Sequence, residues 1–440
     1  MAHLFTGLLT LAAAGAILAV LVFIMLRSPL AAAAVILVAF VVTQGIRDSY
    51  QFPLVFRGTS IYLLDLLSLA LVSVGVYRAL SSRVVNTPLI LVFSLLLLVG
   101  VHFLWGAADY GIHVAFNDSR ETFYFISPLV YASTARRSWD ARVWRLFPVT
   151  GLVLLGIACF YYLKDGFHAA GEFVIMNGTL TNVRPIGASG ALVVLESIIL
   201  LSVLRWPTRR VVLSLALVSM AGLVALQDRT VWIAAIAAGL VGLGTWAARQ
   251  TWNARRLAIG ATVSFASVLV VLLAFLQSHS LNSDLREMTS SDGTFRWRIT
   301  GWRELIAKYH SLTDSAFGLP AGTSLDRKIG KGYVSVSPHS LYVDQYLRFG
   351  IPGVILVVAL GFLLWRRRTA IAPRLGLTPT CVTLLLIVMF TFGLAWQLNF
   401  VQGFILGIFV AALPVRDTPS STSLEEENDA GSDVLSVAAP

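Results

Sequence analysis

The chain has 440 residues, 57% of them hydrophobic and 13% charged, with a mean hydropathy of +0.78. Such a composition excludes an ordinary water-soluble domain. The 33 basic against 23 acidic side chains leave a net charge of +10, which in a membrane protein serves orientation first, because basic loops stay cytoplasmic; no nucleic acid is expected as a partner.

A bilayer core takes roughly 20 apolar residues per helix. Apolar runs predict spans at 4–26, 29–46, 60–79, 88–106, 120–135, 146–163, 187–204, 211–227, 230–247, 257–276, 343–364, 380–396 and 398–414. The weakest are the second, short and Ala-rich, and the fifth, which starts among the polar residues Asn117 to Glu121. The expected fold is therefore an all-α polytopic membrane helical bundle of about 12–13 transmembrane helices. The runs are continuous rather than alternating, which argues against a β-barrel. The first span lacks a basic leader and is longer than a signal-peptide core, so it reads as retained. Cys159 and Cys381 fall within apolar runs, where neither a disulfide framework nor a thiolate metal site is expected.

Short loops with Arg136, Arg137, Arg142 and Arg145, then Arg205, Arg209 and Arg210, then Arg249, Arg255 and Arg256, then Arg366, Arg367, Arg368 and Arg374 fall on alternate sides of successive spans. The positive-inside rule makes these loops cytoplasmic. External segments are then 164–186, the turn at Asp228 and Arg229, and the polar stretch from Gln277 to Pro338. The organisation expected is ten spans over 1–276, a large extracytoplasmic loop at 277–342, C-terminal spans over 343–415, and an acidic, Ser-rich tail at 416–440 whose composition suggests cytoplasmic disorder. No repeat period and no inverted halves are visible, which counts against a secondary transporter.

The external loop holds most of the candidate chemistry. Residues 294–310 have helical character, with Arg298, Trp302 and Leu305 or Ile306 on one face. This face suits a helix resting on the membrane surface, or a guanidinium cluster that meets pyrophosphate oxygens in bidentate fashion. The loop ends in Ser337, Pro338, His339 and Ser340. Ser followed by Pro reads as an N-cap and first helical position, which would put His339 in a first turn that attracts anions. An imidazole there is either a general base or a structural helix-end residue.

Arg229, at the external junction of two spans, is a third candidate, with snorkelling or a pair with Asp228 as its plain explanation. Arg120 and Arg184 are weaker external arginines, and Asp65 and Glu196 inside spans suggest interhelical hydrogen bonds before proton relays. There is no GxxxxGK[ST], no HExxH and no Asp-x-Asp pair. ATP hydrolysis and zinc proteolysis drop out, metal-dependent sugar transfer is disfavoured, and no cofactor or metal is predicted.

The order Arg229, then Arg298 with Trp302, then FGLPAG at 317–322, then HSLYVDQYLRFGIPGVIL from His339 with Gly350 and Gly353, resembles the O-antigen ligase and polymerase superfamily. The specific part covers 225–365, and Ser340 departs from the family's usual Asn. The resemblance implies a GT-C-like membrane glycosyltransferase in the cytoplasmic (inner) membrane, metal-independent and inverting. Its donor would be a glycan on a polyprenyl pyrophosphate, and its acceptor a saccharide or glycolipid on the outer face. His339 would take the acceptor proton while Arg298 and Arg229 hold the pyrophosphate. Arg296, Arg303, Trp302, Arg120, Arg184 and Ser340 would line the substrate site. A transporter or flippase of lipid-linked saccharides is the main alternative, and would carry buried charges along a central path.

Overall fold

The computed structural model describes residues 2–45, 54–56, 59–82, 86–135, 139, 141–165, 173–176, 179–182, 185–201, 209–226, 228–249, 294–308, 311–329, 332–335 and 338–413. The tenth expected span, the acidic tail, Arg184 and the side chain of Arg296 lie outside the described residues.

The helices are α1 (Ala2–Arg27), α2 (Pro29–Gly45), α3 (Leu63–Ser82), α4 (Thr87–Tyr110), α5 (Ile112–Thr134), α6 (Ala141–Asp165), α7 (Ala188–Leu201), α8 (Arg209–Ala225), α9 (Arg229–Arg249), α10 (Thr294–Lys308), α11 (Leu312–Phe317), α12 (Leu341–Arg366), α13 (Arg368–Arg374), α14 (Pro379–Phe392) and α15 (Phe400–Ala411). Among the described residues three antiparallel hairpins join them: β1 (Leu54–Phe56) with β2 (Thr59–Ile61), β3 (Phe173–Met176) with β4 (Thr179–Asn182), and β5 (Asp326–Ile329) with β6 (Gly332–Ser335).

Among the described residues four helices, α3, α4, α6 and α12, are long and apolar enough to cross a membrane. A fifth crossing arises if α13 and α14, bent by 113°, act as one span. Further apolar helices, among them α2, α7, α8, α9 and α15, are shorter. The chain is a helical, multi-pass membrane protein, with fewer full-length spans in the described part than hydropathy suggests. Two local causes account for part of the difference. Helix α5 carries Asn117, Asp118, Arg120 and Glu121 in its first half. The expected spans 380–396 and 398–414 are shortened because α14 stops at Phe392 and a turn at 393–399 intervenes.

Local signals set the helix ends. The Asn86 side chain accepts the Leu89 N–H at 3.1 Å to start α4, Thr378 accepts the Cys381 N–H at 3.2 Å to start α14, and Asn399 with Gln402 forms a capping box on α15. Helix α5 sits at the centre, packed on α15, α4 and α3. On α15, Gly403 and Gly407 lie four apart. A methyl on Gly403 would collide with the Phe125 carbonyl, and one on Gly407 would lie 2.6 Å from Ala132 Cβ. Close backbone approach through small residues is how helices gain packing energy where lipid is as apolar as the side chains. The side chains of Trp144, Tyr131, Phe147, Phe404 and Phe409 are fully buried here.

Helix α12 is broken. Gly350 has φ 63° and ψ −158°, so the chain divides into 341–349 and 351–366. A Cβ at Gly350 would lie 2.7 Å from the carbonyl carbon of Ala316 at the end of α11. The following loop, 318–322, is pinned at this break. The Leu319 N–H donates to Leu347 O at 2.9 Å, the Ala321 N–H to His102 O on α4 at 3.1 Å, and the Gly322 N–H to Asp118 Oδ2 on α5 at 2.8 Å.

Candidate active site

Helix α10 carries Arg298, Trp302 and Leu305 on one face, as their spacing predicts. That face docks on the protein: Leu305 is fully buried with Leu325 and Leu347. The expectation of a helix lying on lipid is therefore replaced by one seated on the bundle through this stripe. Above Leu305, the Trp302 indole Nε1–H donates to Pro338 O at 2.5 Å, and Arg298 Nη1 donates to Ala395 O at 3.1 Å.

These two carbonyls bracket His339. Its imidazole stacks on Trp396, ring centroids 4.7 Å apart and planes 17° from parallel. His339 has φ 52°, and among the described residues it is the one non-glycine with positive φ. Holding a β-substituted residue there costs about 1 kcal/mol or more, and such strain concentrates at functional positions.

The helix start differs from expectation. Ser340, not Ser337, is the N-cap of α12, its hydroxyl accepting the Val343 N–H at 3.5 Å. His339 consequently sits one residue outside the helix. The Leu341 N–H is taken up by Gly393 O at 2.8 Å and Trp396 O at 3.1 Å. Part of the donor set that would have held an anion thus binds the 393–399 turn instead. The Ser-Pro pair misled because Ser340 is an equally good cap three residues later.

The remaining candidates differ in their surroundings. Arg229 is the first residue of α9, following buried Asp228, whose Oδ1 accepts the Val231 N–H at 3.1 Å. Helix α9 packs along α14, which leads into the 393–399 turn. Arg303 is exposed on the opposite side of α10 from Leu305. Arg120 is committed elsewhere: Nε donates to Asp65 Oδ1 at 3.0 Å, and its guanidinium lies 4.7 Å from the Tyr62 ring and 4.9 Å from the Phe116 ring. Tyr124 OH donates to the same Asp65 oxygen at 2.7 Å. Asp65 therefore serves interhelical bonding, as does Glu196, which is fully buried with both oxygens receiving Gln402 Nε2 at 3.1 and 3.0 Å. Among the described residues no group of three or more His, Cys, Asp or Glu side chains could hold a metal ion.

Two features escaped the sequence reading. One is Trp396, the platform under His339, hidden inside an apparent span. The other is Arg348, half-buried between Asp118 at 2.5 Å and Asp344 at 2.9 Å. Both lie in segments where a polar or aromatic residue among apolar ones was the available signal. Glu121 is exposed and within electrostatic reach of Asp344, Arg348 and Asp118.

Comparison with known protein families finds no matching family model, and comparison with the curated proteins finds no match.

Proposed function

We propose that the protein is a GT-C-like membrane glycosyltransferase that moves a glycan from a polyprenyl pyrophosphate to a saccharide or glycolipid acceptor at the outer face of the cytoplasmic membrane. The observation that carries this reading is the convergence of His339, Trp396, Arg298 and Trp302, drawn from three separate segments into one place.

In this reaction His339 removes the acceptor hydroxyl proton as the oxygen attacks the anomeric carbon. The bond from that carbon to the pyrophosphate oxygen breaks, the anomeric configuration inverts, and polyprenyl pyrophosphate leaves with both bonding electrons. Arg298, with Arg229, neutralises the charge that grows on the leaving oxygens. Planar guanidinium groups match those oxygens bidentately, so no metal is required. Trp302, held on Pro338, keeps the arginine-bearing helix against the histidine. Arg296 and Arg184 are proposed as further contacts to the substrate.

An apolar groove of about 490 Å³ runs between α12 and α14, lined by Tyr342, Val358, Phe362, Leu386, Phe390 and Leu394 among others. Two of its lining residues lie close in the chain to the stack: Tyr342 follows His339 by three residues and Leu394 precedes Trp396 by two. An apolar groove of this kind suits a donor whose head reacts while its prenyl chain stays in the hydrocarbon layer.

The test is glycan transfer by the purified protein in vesicles, using a labelled glycan on polyprenyl pyrophosphate, an acceptor saccharide, and a chelator. Transfer with release of polyprenyl pyrophosphate supports the reading. Movement of intact donor across the bilayer without bond cleavage would instead establish a flippase.

A further inference from the structure

We propose that Arg348 is a positioning residue that holds the histidine-bearing segment and the 393–399 turn in register. The inference rests on the glycan-transfer reading, which is what makes that register matter.

Four chain segments are linked through this guanidinium and the two carboxylates it holds. Nη1 donates to Asp118 Oδ2 on α5, and Nε donates to Asp344 Oδ1 one turn earlier on α12. Asp118 also accepts the Gly322 N–H, which ties in the 318–322 loop. Asp344 also accepts the side-chain amide of Gln397. Gln397 adjoins Trp396, on which His339 stacks, and Asp344 lies in the first helical turn after the Ser340 cap. One cation therefore connects the centre of the bundle to both walls of the histidine stack.

The two bonds leave different nitrogens of a rigid plane, a directional fork that a lysine ammonium cannot reproduce. Asp344 is buried while Arg348 and Asp118 are partly exposed, and a buried carboxylate is costly to leave unpaired, so retaining it here fits a device that selects one geometry. Arg348 does not need to touch substrate to act. A displacement of about 1 Å in the stack is enough to cost about 10²-fold in rate.

An ordinary structural tie and a positioning device differ in where the damage appears. The full chain in nanodiscs, wild type and Arg348→Met, would be compared by amide hydrogen exchange. The device predicts exchange faster by about 10-fold or more in peptides covering 338–346 and 393–399, with α3 and α15 unchanged. A uniform increase, or no increase in 393–399, overturns it. Turnover should fall about 10²-fold, yet Arg348→Met should add at most roughly 2-fold in a His339→Ala background, because the effect passes through the histidine. Full multiplication of the two losses also overturns it. If Arg348→Met does not accumulate, Asp344→Asn is measured the same way, and unaltered exchange in 393–399 overturns the proposal. A wild-type protein with no glycan transfer defeats the reaction assignment, whereas normal transfer with a silent Arg348→Met defeats only the positioning role.

Discussion

The imidazole of His339 lies on the indole of Trp396 with 4.7 Å between ring centroids and 17° between planes. The pair is held from both ends, by Trp302 on Pro338 and by Arg298 on Ala395. Its walls come from segments more than fifty positions apart, so the stack depends on tertiary packing.

An aromatic pair of this kind contributes about 0.5–1.5 kcal/mol beyond its burial. Trp396→Ala should therefore lower glycan transfer by about 3- to 10-fold at equal membrane level, while Trp396→Phe keeps most of it. Equal activity of all three proteins would show that the stack does not orient the base.

Gly350 tests the broken helix. Its φ of 63° disfavours any side chain, and a Cβ there would press on the Ala316 carbonyl carbon. Gly350→Ala should destabilise the protein by about 2 kcal/mol or more, read as a lowered midpoint of thermal unfolding in detergent. An unchanged midpoint would mean that the break is not fixed by this contact.

The Glu196 and Gln402 pair tests the interior. Gln402→Leu leaves a buried carboxyl without its partner and should cost about 2 kcal/mol. The double change Glu196→Leu with Gln402→Leu should recover much of that loss, since an apolar pair of similar shape removes both polar groups. A double variant less stable than Gln402→Leu alone would contradict a purely structural role for Glu196.

Much of this architecture was legible in the chain. Helix positions for α3, α4, α6 and α12 follow from apolar run length, and the face of α10 follows from the spacing of Arg298, Trp302 and Leu305. The hairpins were missed although Arg57-Gly58, Asn177-Gly178 and Gly330-Lys331 separate their strands. Two-residue links with glycine are strong hairpin signals, but hydropathy averaged over a bilayer thickness absorbs strands of three or four residues. The surroundings of Arg120 were hidden for a different reason. Its partner Asp65 is fifty-five positions away on another helix, and nothing local reveals such a pairing. Trp396 and Arg348 were hidden because both sit in apolar runs interrupted by a turn or a glycine break that only packing displays.

Sidedness rests on the arginine-rich loops. Ser324 and Thr369 are both exposed and lie in segments assigned to opposite faces. A cysteine at Ser324 should react with an impermeant thiol reagent in intact cells, and one at Thr369 only after permeabilisation. The reverse pattern would invert the orientation and move the candidate site to the cytoplasmic face.

The most direct test of the central claim separates donor binding from turnover in the purified protein. His339→Ala should reduce transfer by about 10²- to 10⁴-fold, the usual contribution of a positioned base, while binding of the polyprenyl pyrophosphate donor is largely retained. Arg298→Ala should weaken binding and turnover together, because its guanidinium meets the pyrophosphate in both ground and transition states. A well-folded His339→Ala protein that transfers glycan at near wild-type rate would contradict the account and turn attention to the exposed carboxylate of Glu121.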